Sequence, residues 1–170
     1  MLNFRTRWIT GSIAALLIVA SCGQSRNSAL SAGTDIATVI EVIDGDTVDL
    51  SIGDHRQRVR LIGVDTPETK HPRKPVQCFG HEATAFTESL LAHGTKVRLE
   101  RDAEARDTYD RLLVYLYRDS DNMFINLELV RQGFAHVLTI EPNIAYIDQF
   151  VGAARDAQLN NRGLWQACRG

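Results

Sequence analysis

TVIEVIDGDTVDLSIGDHRQRVRLIGVDTPET, from Thr38 to Thr69, decides the fold. Apolar and polar residues alternate through it in three runs, extending back to Thr34: Thr34–Asp44, Thr47–Ile52 and Arg56–Val64. Val48, Leu50 and Ile52 share one face of the second run, as Val59 and Leu61 do in the third. That period of two is the signature of half-buried strands. The tripeptide Asp44-Gly45-Asp46 and the pair Gly53-Asp54 supply the turns between them, giving a three-stranded meander. The third run carries Arg60 in its middle and then stops on Asp65, Thr66, Pro67, Glu68 and Thr69. An apolar strand that ends on acids beyond a buried-looking arginine needs a chemical reason.

Downstream, Thr69–Gln77 (TKHPRKPVQ) is a basic loop with two prolines. GHEATAFTESLLAHG reads as a helix with Ala83, Phe86, Leu90 and Leu91 on one stripe and Gly94 as its stop. TKVRLERD and RLLVYLYRD add two strands, and MFINLELVRQG a second helix. A last helix is expected over Asn143–Asn161 with Ile144, Ile147, Val151 and Ala154 inward, ended by Gly163, after which Leu164 and Trp165 fold back on the core. The expected class is α+β: a five-stranded OB-fold β-barrel with about three helices, whose closure leaves few exposed edges.

The first segment of the 170-residue chain stands apart. Arg5 and Arg7 precede the apolar run Ile13–Ala20, which is too short to span a bilayer comfortably. Val19–Cys22 (VASC) resembles the lipobox of bacterial lipoproteins, in which Cys22 would carry lipid. The alternative is an ordinary signal peptide cut at Ser21, which would leave the protein secreted. The expected organisation is a leader over 1–21, a polar flexible tether over 22–34 and one domain over 35–170. The expected place is outside the cytoplasm, lipid-anchored in a bacterial envelope. Gly23, which is not a retention aspartate, favours the outer membrane where one exists. A monomer is expected. In such an oxidising compartment the two remaining cysteines, Cys78 and Cys168, are expected to form a disulfide.

Without residues 1–21 the chain has 17 basic and 21 acidic residues, a net charge of −4. This argues against a broadly basic nucleic-acid binder. Three segments nevertheless gather acids and arginines at strand ends: Asp44-Gly45-Asp46-Thr47, Arg60 with Asp65, Thr66 and Glu68, and Asp107–Arg111 (DTYDR). Turn carboxylates suit a hard cation such as Ca²⁺, and arginines suit a phosphate. An EF-hand loop opening at Asp44 is excluded, because Val48, Asp49 and His55 would fill its fifth, sixth and twelfth positions. A zinc-protease helix at His81 is excluded by Ala85 where the second histidine belongs.

IDGDTV, Arg60 followed by DTPETKHP, and D-x-Y-x-R, in this order, closely resemble the staphylococcal nuclease (thermonuclease) family. The resemblance covers about Ile36–Trp165 and continues through ATAFT and ELVRQG. It implies an OB-fold and a calcium-dependent phosphodiesterase that hydrolyses DNA and RNA with little sequence preference. Carried onto this chain, Asp46, Asp65 and the Thr66 carbonyl would bind Ca²⁺, with Asp44 behind them. Glu68 would orient or deprotonate the attacking water, and Arg60 and Arg111 would hold the scissile phosphate. Tyr109 is the candidate platform for a base, and Lys70, Arg73 and Lys74 are candidates for the substrate backbone. Two departures stand out. The family motif usually reads D-[KR]-Y-G-R, so Thr108 replaces a base and Asp110 adds a negative charge beside Arg111; and HVLTIEPN holds no tyrosine before Tyr146. One rival is a catalytically inactive OB-fold module binding nucleic acid or protein in the envelope, but no proposed catalytic group is lost. A calcium-stabilised scaffold leaves Arg60 and Arg111 unexplained.

Overall fold

Three strands form the meander: β1 (Asp35–Asp44), β2 (Thr47–Ile52) and β3 (His55–Leu61). The computed structural model describes residues 35–70 and 75–168. The third alternating run is broken at Ile62-Gly63, so its end is a separate short strand, β4 (Val64–Asp65). Then come α1 (Gly80–Leu90), β5 (Lys96–Glu100), β6 (Leu112–Arg118), β7 (Met123–Phe124), α2 (Ile125–Arg131), β8 (His136–Val137), α3 (Ile147–Leu159) and α4 (Leu164–Ala167).

The long strands lie in the order β3-β2-β1-β5-β6, and β3 pairs with β6 to close the ring. All neighbours are antiparallel except that closing pair, which is parallel with Val59 opposite Leu112 and Arg60 opposite Leu113. The result is the expected five-stranded OB-type barrel. Val39, Val48, Leu50, Val59, Leu61, Val97, Val114 and Leu116 fill it without solvent exposure. Val48, Leu50, Val59 and Leu61 therefore face the way their alternation predicts. Each such side chain contributes about 1.5–3 kcal/mol by burial.

Helix α2 packs on β6 and α3, burying Ile125, Leu129 and Val130. Its buried Asn126 accepts the Leu116 amide at 2.9 Å and donates to the Ile62 carbonyl at 2.9 Å. One side chain thus satisfies backbone groups that burial would otherwise leave unpaired. Beside it Gly63, at φ 80°, passes under Phe150 so closely that a Cβ would lie 2.2 Å from the ring. Only glycine fits, and this bend aims β4 at the site. Cys78 and Cys168 form the expected disulfide, with Cα atoms 5.9 Å apart.

The last helix differs from its expected form. It starts at Ile147, because the preceding residues turn instead: the Asn143 side chain accepts the Glu104 amide and donates to the Glu104 carbonyl, at 2.7 and 3.0 Å. Its buried positions are Phe150 and Ala157, whereas Ile144 and Val151 are 40% and 53% exposed. The large ring of Phe150 in the core, between Gly63 and Tyr115, sets the rotation of the helix. Likewise Met123-Phe124 pairs with the end of β6, so α2 begins only at Ile125.

Candidate active site

The acids are placed by the tight turn between β1 and β2. Asp46 is 6% exposed, and both its oxygens are engaged. Oδ2 accepts the Thr66 amide at 2.9 Å and the Thr66 hydroxyl at 3.1 Å, while Oδ1 accepts the Thr47 hydroxyl at 3.1 Å. Gly45 lets Thr66 come this close, since a Cβ there would meet its side chain at 2.7 Å. From behind, buried Thr87 of α1 donates to the Gly45 carbonyl at 2.7 Å and clamps the turn. Asp44 accepts the Asp46 amide at 3.2 Å. Burial, and then the charge of Asp46, push the Asp44 carboxyl up to about 6. Burial and Asp46 also raise Asp65, against the opposing pull of Arg60 and His136. Negative charge is therefore concentrated here at an energetic cost, the condition in which a cation binds well.

Arg60 lies on β3 opposite Thr47, with its side chain 11% exposed. Nε is 3.1 Å from Asp46 and Nη2 3.1 Å from Asp65. Nη1 donates to the carbonyls of Leu61 and Val64, at 2.6 and 2.7 Å. Arg111 enters from just before β6, brought alongside by the parallel closure of the barrel. Its Nε donates to Asp107 Oδ2 at 2.6 Å, and its terminal nitrogens make no hydrogen bond to a described residue. Glu68 follows on the strand exit. Its Oε1 accepts the Lys70 amide at 2.7 Å, and its own amide donates to the Gln77 side chain at 2.9 Å.

These segments converge on one cleft of about 270 Å³, lined by Asp44, Asp46, Thr47, Arg60, Asp65, Thr66, Glu68, Gln77 and Arg111. Every candidate catalytic and metal-binding residue from the sequence is in that set. Tyr109 lies beside it, 81% exposed, with the Arg111 guanidinium 5.5 Å from its ring centre. Lys70 is exposed at the margin of the cleft, outside its lining, and its amide donates to Glu68. Arg73, Lys74 and Cys22 lie outside the described residues. All the oxygen donors suit a hard cation. Among the described residues no group of three or more His, Cys, Asp or Glu side chains is arranged to hold a metal ion.

One feature departs from the sequence expectation, in the surroundings of Arg111, and one accords with it, in the choice of Tyr109 over Tyr146. Asp110 does not burden Arg111: its carboxylate faces Arg106 at 3.4 Å and is 87% exposed. It also carries a positive φ of 63°, which explains why glycine is usual in that place. Tyr146 is no base platform, because it packs edge-on to Tyr115 and bonds Glu100. A residue with no role assigned from sequence is Asp107, which burial pushes up but which the Arg111 side chain and amide hold below the usual carboxylate range. Its spacing of four from Arg111 was the available signal. Gln77 carried none.

A family model described as staphylococcal nuclease homologue matches residues 58–167. The chain is 36% identical over 159 residues to a thermonuclease of Staphylococcus hyicus, across 90% of this chain and 92% of that one. It is 41% identical over 128 residues to a thermonuclease of Staphylococcus intermedius, across 75% and 74% of the two chains. Over 130 residues it is 38% identical to endonuclease YncB of Bacillus subtilis, across 75% and 60%.

Proposed function

The chain belongs to the staphylococcal nuclease family and is a nuclease, and we propose that it is a calcium-dependent phosphodiesterase acting on DNA and RNA with little sequence preference. The observation that carries this reading is the joint lining of one cleft by Asp46, Asp65, Glu68, Arg60 and Arg111. A scaffold has no use for two guanidinium groups beside a cation site, and a phosphate has.

Asp46, Asp65 and the Thr66 carbonyl would hold Ca²⁺, with Asp44 supporting the turn through the Asp46 amide. The bound ion would supply Lewis-acid polarisation of a phosphoryl oxygen. Arg111, whose terminal nitrogens are uncommitted among the described residues, presents a fork to the non-bridging oxygens. Arg60 adds positive charge from the floor of the cleft, fixed by its two carbonyl contacts. Such preset donors stabilise the growing charge without reorganising. Glu68, tethered through the Lys70 amide, accepts the proton of the attacking water or orients it. The exposed ring of Tyr109 offers a base a stacking surface.

The same proposal places the protein outside the cytoplasm, on a lipid anchor at Cys22 in the bacterial envelope, or secreted if Cys22 carries no lipid. The disulfide supports this, because such bonds persist in oxidising compartments. Plasmid DNA incubated with Ca²⁺, and then with excess chelator, tests the activity. Cleavage should stop on chelation and in Asp46→Ala, and full cleavage in chelator would overturn the assignment.

A further inference from the structure

The cleft has neighbours on two sides. With one pocket of about 320 Å³, walled by Leu113, Leu138, Ile140 and Tyr109, it shares Arg60 and Arg111. With a groove of about 550 Å³ it shares Asp65, Thr66 and Gln77. The pocket and the groove have no lining residue in common, so they join the cleft at different margins. The groove runs from Asp65 past His136 and Trp165 to the Cys78–Cys168 disulfide, with Gln158 and Asn161 along it.

We propose that this groove holds the nucleic-acid strand on the far side of the scissile phosphate, opposite the nucleotide seated over Tyr109. The inference rests on the reading of the cleft as the place of phosphodiester cleavage. A phosphodiester has a nucleotide on each side, and the three adjoining hollows give a polymer one continuous path. The chemistry of the groove suits bases. His136 and Trp165 meet edge to face with ring centres 5.1 Å apart, and rings of this kind accept any base by stacking. The side-chain amides of Gln77, Gln158 and Asn161 can donate to or accept from base edges and sugars. No lysine or arginine lines the groove, so what it adds should depend weakly on salt. Its volume is in the range of ligand-binding clefts.

Gln158 is exposed on α3 and has no part in the cleft, which makes it the residue to vary. The full chain, Gln158→Glu and Gln158→Lys would be assayed with Ca²⁺ on two substrates. One is single-stranded DNA of about 12 nucleotides, within the span that such folds cover. The other is a nitrophenyl phosphodiester of a single nucleotide, too short to enter the groove. The ratio of kcat/KM on the long to the short substrate should fall about two- to fivefold for Gln158→Glu and rise for Gln158→Lys, through KM, as expected for one exposed charge near phosphate. Equal effects on both substrates would overturn the proposal. Should the parent protein cleave neither substrate, the reading of the cleft fails, and the groove is judged by binding. In the Trp8→Phe chain Trp165 is the remaining tryptophan. Its fluorescence should then change with the long strand and not with a mononucleotide, and no change with the long strand would overturn the groove.

Discussion

Replacing Asp107 with Asn should lower kcat/KM about 10- to 30-fold while leaving the barrel folded, a range that follows from the geometry and from the free energy per tenfold in rate. Asp107 Oδ1 accepts the amides of Tyr109 and Arg111, each at 2.9 Å, and Oδ2 accepts Arg111 Nε at 2.6 Å. Asn keeps one oxygen, so the turn survives. Its NH₂ then faces the Nε–H of Arg111, donor against donor, and the guanidinium loses its partner. A hydrogen bond to a charged group contributes about 1.5–3 kcal/mol. The Arg111 side chain is 29% exposed, so water replaces part of it and the lower end, about 1.5–2 kcal/mol, applies. At about 1.36 kcal/mol per tenfold this gives the stated range. Arg111→Ala should be worse, because losing such a donor outright costs about 2.7–4 kcal/mol. Adding Asp107→Asn to Arg111→Ala should then change little, since the clamp has nothing left to hold. Initial rates on single-stranded DNA, with kcat and KM resolved and melting curves alongside, make the measurement. Wild-type kcat/KM in a folded Asp107→Asn protein, or full additivity in the double variant, would refute the reasoning.

Glu68→Gln keeps size and removes charge, so turnover should fall by about 10²–10⁴ with no change in melting temperature; retained turnover removes Glu68 from the chemistry. Arg60→Lys should also be slow, and less stable, because an ammonium cannot reach both acids and the carbonyls of Leu61 and Val64; a kinetically normal Lys variant would show that charge alone suffices. Asp49, 1% exposed, is held below the usual 3.8 chiefly by its hydrogen bond to Arg58, against burial and with help from Arg56. Its contribution is present above the unfolded value and lost as pH falls through the lower folded value. Asp49→Asn should therefore destabilise by roughly 1–2 kcal/mol near neutrality, less than a fully buried pair because both arginines are half exposed. Denaturant curves should show that deficit shrinking below the usual carboxylate range, and a constant deficit would refute the linkage. Cys78→Ser should lower the melting temperature by roughly 10 °C, from about 2–4 kcal/mol for a closed loop, with cleavage still measurable; an unchanged melting curve would mean the bridge adds no stability.

The meander was legible because local rules govern it: alternation set the faces of Val48, Leu50, Val59 and Leu61, and turn residues set its corners. The site was legible as three separate segments for a related reason. Acids and arginines at strand ends are local signals, although their convergence is not. Helix α3 was misread because its face is chosen by a distant partner: Phe150 packs against Gly63, and so Val151 is left outside. The clamp of Asp107 on Arg111 depends on the turn between them, with Asp110 at positive φ, a conformation that residue identity alone does not reveal.

The parallel pairing of β3 with β6 has a kinetic consequence. It joins segments far apart in the chain, which makes it an entropically late contact during folding. Asp44, Asp46 and Arg60 can assemble early, within the meander, and Asp65 follows when β4 pairs with β8. Arg111 reaches them only when the ring is sealed. With Arg111 in its proposed role on the phosphate, hydrolytic power is withheld from any partly folded chain, however well its acidic half is formed. In refolding, the return of cleavage should lag behind the meander and coincide with protection of the Ile62 amide, which donates to Val114 across the seam. A destructive enzyme thus stays harmless until its fold is whole.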